Sequence, residues 1–154
     1  MMSRTNKSSF TLVELLVVIV IVGVLTGLSV PQFRKTIDNF SLESYTKDIY
    51  YLCHYLQATS VSTGKIQRLN IDTSNKELSA FYKGTTSFVS IPGRYGKAYK
   101  APDSVEIALE PPQANAVNFY PDGSADKVSV VFTNKHKKQI TLNIKGAGSE
   151  IKIQ

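Results

Sequence analysis

Glu14 is the residue of this sequence whose position most clearly demands a chemical role. It is the only charged residue between positions 10 and 30, a run that otherwise consists largely of Val, Leu and Ile. A carboxylate inside such a run is costly, so it normally has a partner of opposite charge or a task. We therefore expect Glu14 to serve a function beyond anchoring this run.

Two segments, residues 94–100 and residues 135–138, carry clustered positive charge. In the first, cations alternate with Tyr95 and Tyr99, a pattern typical of contact with phosphates and stacked bases. The other interpretation is that both segments are solvated loops that keep the domain soluble or meet an acidic partner subunit, and we favour it. The residues that would contact DNA are Arg94, Lys97, Lys100, Lys135, Lys137 and Lys138.

The remaining reactive side chains predict neither a metal site nor an active site. Asp122 and Asp126 are too few for calcium, which takes six to eight oxygen ligands. The single cysteine, Cys53, excludes an intramolecular disulfide, and it is expected to be a buried small apolar side chain. The sequence contains two histidines, no nucleophile motif and no phosphate-binding loop. We expect no cofactor, no metal and no enzymatic activity.

The apolar run that contains Glu14 is long enough to cross a membrane. As a helix, residues 10–30 would span about 31 Å, close to the hydrocarbon thickness of a bilayer. Arg4 and Lys7 precede it and favour a cytoplasmic N-terminus. The sequence therefore predicts a single-pass protein with its bulk outside the cytoplasmic membrane.

Two simpler interpretations of this run remain open from the residues alone. A cleaved signal peptide would have an apolar core of about 7–15 residues and a small-residue cleavage site, whereas this run is longer and no such site follows. An ordinary signal anchor explains the length but gives Glu14 no purpose.

The rest of the chain predicts an amphipathic helix and a β-rich head. Pro31 should kink or interrupt the helix, and apolar residues then recur at helical spacing over residues 32–62. From residue 63 to residue 154 the period changes to two, with turn residues between short strands. The 154 residues, 42% of them hydrophobic, fit one domain. The predicted fold class is α+β, with a long N-terminal helix packed on an antiparallel β-rich head.

The segment Ser9-Phe10-Thr11-Leu12-Val13-Glu14 resembles the processing site of type IV pilins and type II secretion pseudopilins. In that family a prepilin peptidase cuts before the Phe and methylates the new amino terminus. The resemblance implies a leader over residues 1–9, cleavage between Ser9 and Phe10, and N-methylation of Phe10. Ser9 stands where the family usually has Gly, whereas Glu14 and Pro31 match the fifth and twenty-second mature positions.

The resemblance also implies a role for each segment. Residues 10–30 would span the membrane and later form the filament core, where Glu14 would pair with the Phe10 amine of the adjacent subunit and so set the register. Residues 31–62 would be the amphipathic helix, and residues 63–154 the head. Glu14 and Pro31 are thus the candidate assembly residues.

The end of the chain resembles H-type minor pseudopilins and related minor pilins. The resemblance rests on the order of the last strands, the Pro-Asp-Gly-Ser turn at residues 121–124, and residues 146–153. It implies a minor structural subunit of a secretion pseudopilus in the bacterial inner membrane, with its head in the periplasm or outside. The partners would be prepilin peptidase, other subunits and possible secreted cargo. A minor pilin of a DNA-uptake or adhesion fibre is the alternative, and a lone signal-anchored binding domain is the third.

Overall fold

The computed structural model describes residues 10–146 and 150–154, without the side chains of residues 28–31. Ser9 and the other leader residues therefore lie outside the described residues. One long helix is followed by nine short strands, which confirms the predicted α+β class. The chain divides into two compact units at Thr36 and Ile37, and each is described by itself.

Helix α1 runs from Leu12 to Thr63. It ends one residue beyond the predicted amphipathic helix over residues 32–62. The interruption predicted at Pro31 is absent, because the assigned helix continues through this position. Proline removes one backbone donor, and the hydrogen bonds on both sides of it can maintain a helix of this length.

The strands form two antiparallel sheets. The first has the order β3-β2-β1-β6, and β4 also pairs with β2. The second has the order β5-β7-β8-β9. The bounds of the strands are β1 Gln67–Asp72, β2 Glu77–Lys83, β3 Phe88–Ser90, β4 Tyr99–Lys100, β5 Val105–Glu110, β6 Ala116–Phe119, β7 Val128–Asn134, β8 Gln139–Ile144 and β9 Ile151–Ile153.

The second half of α1 supplies one wall of the hydrophobic core. Its buried side chains recur at spacings of three and four, so they lie on one face. The strands contribute alternate residues, as in β5, where every second residue is buried. The buried apolar side chains of α1 are Leu42, Tyr45, Ile49, Leu52, Cys53 and Leu56.

The turn between β6 and β7 has the predicted form. Gly123 has a φ of +83°, a backbone conformation that glycine adopts without strain. Asp122 Oδ1 accepts hydrogen bonds from the amide and the hydroxyl of Ser124, at 2.9 and 2.6 Å. The buried Ser60 hydroxyl of α1 donates to the Tyr120 carbonyl at 3.0 Å, so this turn is tied to the end of the helix.

Candidate functional site

The first half of α1 is apolar on all sides and exposed on all sides. Between residues 12 and 25, every Leu, Ile and Val side chain is at least 47% exposed. Helix α1 is long and apolar enough to cross a membrane, and none of its most apolar 18-residue window is buried within the protein. A helix that is apolar all round requires an apolar environment on every side, which water does not supply.

Glu14 lies in the first turn of this helix. Its backbone N–H donates to the Thr11 hydroxyl at 3.3 Å, so Thr11 is the N-cap residue. The pattern Thr-x-x-Glu is that of a capping box, which the analysis of the sequence missed although the spacing was visible there. No ion pair of Glu14 occurs among the described residues. Glu14 therefore lies at the start of the helix, and its carboxylate is available to form an ion pair.

The other two assembly candidates are less informative. Phe10 precedes α1 and is 73% exposed. Pro31 lies inside α1, and its side chain is outside the described part. The structure therefore brings Phe10 and Glu14 to the same end of the helix and leaves Ser9 undescribed.

The basic segment at residues 135–138 is attached to α1. Lys138 Nζ contacts Glu43 Oε1 at 2.5 Å, and His136 Nε2 lies 3.0 Å from Asp38 Oδ2. The hydrogen bond from Lys138, reinforced by its charge, lowers the pKa of Glu43. Two of the four residues of this basic segment are therefore engaged by carboxylates of the helix.

A buried asparagine shapes this turn. Asn134 Oδ1 accepts the amides of His136 and Lys138 at 2.9 and 3.0 Å. Its Nδ2 donates to Asn39 Oδ1 of α1 at 2.7 Å. These contacts fix the β7–β8 turn against the helix.

The basic segment at residues 94–100 is built differently. The ring of Tyr95 stacks on Tyr55 of α1, with centroids 3.9 Å apart and planes 15° apart. The Tyr45 hydroxyl donates to the Tyr99 carbonyl at 3.0 Å, and burial raises the pKa of Tyr45, so its hydroxyl remains a donor. Gly96 allows a close approach, because a Cβ there would lie 1.5 Å from the Ile91 carbonyl oxygen.

The cations of the segment at residues 94–100 are not paired with carboxylates of the described residues. In the part of the chain that the structure describes, Arg94, Lys97 and Lys100 form no ion pair. Arg94 lies near the ring of Tyr95, 5.7 Å from its centroid. Arg94 and Lys97 border a groove of about 520 Å³ beside α1.

The two basic segments lie on different flanks of the helix. Lys138 of one segment pairs with Glu43, and the other segment lines a groove with Asp48. Five residues at 3.6 per turn separate these two helix positions by about 140° around the helix. The predicted DNA contacts are thus not brought together into one surface.

The possible calcium loop has its carboxylates occupied. Asp126 accepts hydrogen bonds from the amide and side chain of Asn118 and from the Tyr120 hydroxyl. Asp122 caps its own turn. No cluster of three or more His, Cys, Asp or Glu that could hold a metal occurs within residues 10–146 and 150–154.

Cys53 is completely buried, as predicted. Burial raises the pKa of its thiol to about 12. The nucleophilic form of cysteine is the thiolate, so this residue contributes packing rather than reactivity.

The comparisons with known proteins agree with this geometry. Residues 4–30 match the family of the prokaryotic N-terminal methylation motif. No curated protein is similar to the chain in sequence. The fold, however, is similar to that of solved structures of two bacterial minor subunits.

The first subunit is the minor pseudopilin EpsH from the type 2 secretion system of Vibrio cholerae. It is 11% identical, with a TM-score of 0.61 over 76% of this chain and 95% of that chain. The second is the type IV minor pilin FimU of Pseudomonas aeruginosa, which is 15% identical, with a TM-score of 0.60 over 76% of this chain and 90% of that chain. The chain thus combines the prokaryotic N-terminal methylation motif at residues 4–30 with a fold similar to that of these two minor subunits.

Proposed function

We propose that this protein is a minor structural subunit of a type II secretion pseudopilus, assembled through its apolar N-terminal helix. The observation that carries the proposal is the exposure on all sides of the apolar residues 12–25 of α1, which lie within the methylation motif matched at residues 4–30. Such a helix can be held in a bilayer before assembly and can pack against other subunits afterwards.

The proposed sequence of events begins with a precursor in the cytoplasmic membrane. Prepilin peptidase removes residues 1–9 between Ser9 and Phe10 and methylates Phe10. Residues 10–30 then enter the filament core, whereas residues 31–62 and the head at residues 63–154 remain outside the cytoplasm. Mass analysis of the N-terminus of protein from its own host tests this step. We expect a chain that begins with N-methylated Phe10, and a mature chain that begins at Met1 would contradict the proposal.

In the filament, Glu14 pairs with the Phe10 amine of an adjacent subunit. An ion pair in an apolar core favours the register in which both charges meet, because a misplaced charge there is strongly destabilising. The availability of the Glu14 carboxylate and the exposure of Phe10 support this role. The capping-box position of Glu14 offers a competing local explanation that an experiment must separate.

Three substitutions separate pairing from capping. Glu14→Leu removes both functions, Glu14→Gln retains a side chain that suits a capping box but removes the charge, and Thr11→Val removes the cap but retains the carboxylate. We expect all three proteins to insert into the membrane and both Glu14 variants to be depleted from purified filaments. Thr11→Val should be incorporated as the wild type is.

The opposite pattern would assign Glu14 to the cap. If Glu14→Gln were incorporated normally and Thr11→Val were depleted, helix initiation would be the function that matters. Unchanged co-purification of Glu14→Leu with the filament would contradict both roles. Val18→Leu, an apolar exchange in the same helix, is the matched control and should leave incorporation unchanged.

A minor pilin of a type IV pilus is the second candidate, because the similarity in fold to FimU is close to that to EpsH. Deletion of the gene in its own host distinguishes the two. Loss of protein secretion with normal pili supports the pseudopilus, whereas loss of pili or DNA uptake with normal secretion supports the pilus.

A further inference from the structure

We propose that the head binds an acidic polypeptide segment with aromatic or aliphatic side chains in a groove on one flank of α1. This basic groove has a volume of about 520 Å³. The inference concerns the head alone and does not depend on the membrane and filament roles of the first half of α1. The lining side chains that carry the argument are Asp48, Tyr51, Arg94, Tyr95, Lys97 and Tyr99.

The groove has a net positive charge. Arg94 and Lys97 line it and form no ion pair with any other described residue, and Asp48 is the one carboxylate among its lining residues. By contrast, Lys138 on the opposite flank is paired with Glu43. Exposed cations that the protein does not neutralise attract a partner of opposite charge.

The floor of the groove is aromatic. Tyr51 is 65% exposed, which is unusual for so large a side chain on a helix that packs on a core. A second cavity of about 270 Å³ adjoins the groove and shares Asp48, and it is lined by Lys100 and by Phe40, which is 72% exposed. Cations thus accompany an aromatic strip along the helix, so a matching partner needs acidic and apolar side chains together.

The wall that carries the cations is held in place before any partner binds. Tyr95 is stacked on Tyr55, the Tyr99 carbonyl accepts the Tyr45 hydroxyl, and β4 pairs with β2. Gly96 permits the close turn against Ile91. A fixed wall lowers the entropy that binding must overcome.

Two other occupants fit less well. A second copy of this chain would bring its own net charge of +6 against the cations. A nucleic acid would favour one continuous basic surface along its phosphates, yet the other basic segment pairs with Glu43, about 140° away around the helix, and one face of Tyr95 is covered by Tyr55. The observations therefore favour a different protein with an acidic surface segment.

The test uses the full chain in detergent micelles and a fluorescent peptide in which Glu alternates with Phe and Leu. A peptide with Lys in place of Glu and a random duplex DNA are the comparison probes. Fluorescence anisotropy at several salt concentrations should show binding of the acidic peptide only, weakening as salt rises. The double variant Arg94→Glu, Lys97→Glu should bind it about tenfold more weakly or worse.

Lys135→Glu is the matched control, because it reverses an exposed cation on the other flank. It should change the affinity less than about twofold. Circular dichroism of each variant verifies that the head is folded. The proposal is overturned if the acidic peptide does not bind at about 1 mM, if the Lys peptide binds equally well, if Lys135→Glu weakens binding as much as the double variant, or if DNA binds more tightly than the peptide.

Discussion

The two halves of α1 both contain many apolar residues but differ in what surrounds them. Between residues 12 and 25 the apolar side chains point in all directions and are all exposed. Between Leu42 and Leu56 the aliphatic side chains, Cys53 and Tyr45 occupy one face and are buried against the two sheets. One helix therefore contains a half that the protein itself covers and a half that something else must cover.

The difference shows how a single helix can serve two purposes. The buried half packs on the head, and the stability of this part of the protein is determined by packing inside the chain. The exposed half contributes nothing to that packing, so its apolar residues are accounted for by a membrane or by neighbouring subunits. Substitutions in the two halves should accordingly affect different measurements.

The largest effect is expected for Leu56→Ala in the buried half. Leu56 is completely buried, and truncation of such a leucine leaves a cavity that lowers the free energy of unfolding by about 2–5 kcal/mol. Leu16→Ala, at a side chain that is 55% exposed, should change it by less than about 0.5 kcal/mol. Denaturant unfolding of the full chain in micelles, followed by tyrosine fluorescence, measures both.

Equal destabilisation of the two variants would contradict this difference between the halves, since the first half of α1 would then also stabilise the head. A filament assay measures the property that the first half should affect. If the proposed function holds, Leu16→Ala should reduce incorporation into filaments despite an unchanged head, because it removes apolar area from the half that we propose packs against other subunits.

Much of this division could be predicted from the sequence, because it depends on local patterns. The unbroken apolar run, the later recurrence at three and four residues, and the alternation in strands such as β5 each determine a local structure directly. The turn at residues 121–124 could also be predicted from its residue types, and Gly123 has the positive φ that suits a glycine in a turn. Cys53 was placed correctly on the buried face by its helical spacing from Leu52 and Leu56.

The contacts between distant segments could not be predicted. Asn134 and Asn39 are 95 residues apart, and nothing in either local pattern indicates that they meet. The same holds for the carboxylates that engage His136 and Lys138, so the two basic segments looked alike in the sequence. The short helix Gly93–Gly96 and strand β4 could not be predicted, because glycine and proline in that region are typical of a loop.

A smaller effect is expected for Tyr45→Phe, which tests whether the buried half of α1 also holds the head by polar contacts. The change retains the ring, which packs edge to face on Phe132 with centroids 5.6 Å apart, and removes the hydrogen bond to the Tyr99 carbonyl. The free energy of unfolding should fall by about 1 kcal/mol. Tyr51→Phe, at an exposed ring, is the control and should have no measurable effect. Equal values for the two would mean that the buried hydroxyl contributes nothing.

The smallest effect is expected for Glu43→Gln, at the edge of the buried half where the β7–β8 turn contacts the helix. Lys138 lowers the pKa of Glu43 from an ordinary value of 4.5. A carboxylate whose pKa is lower in the folded state stabilises that state above its unfolded pKa, and this contribution is lost as the pH falls through the folded value. The wild type should therefore be slightly more stable than Glu43→Gln at neutral pH, and the difference should vanish in acid.

Glu110→Gln provides the control, because Glu110 is exposed and joins no ion pair among residues 10–146 and 150–154. Its difference from the wild type should not change between neutral and acidic pH. Added salt should reduce the Glu43 effect, since the pair is partly exposed to solvent. A Glu43→Gln difference that is the same at neutral and acidic pH would show that the ion pair with Lys138 does not stabilise the head. The buried Asn134 contact would then hold the β7–β8 turn on α1 instead. The packing of the hydrophobic core would hold the rest of the head on the buried half of the helix.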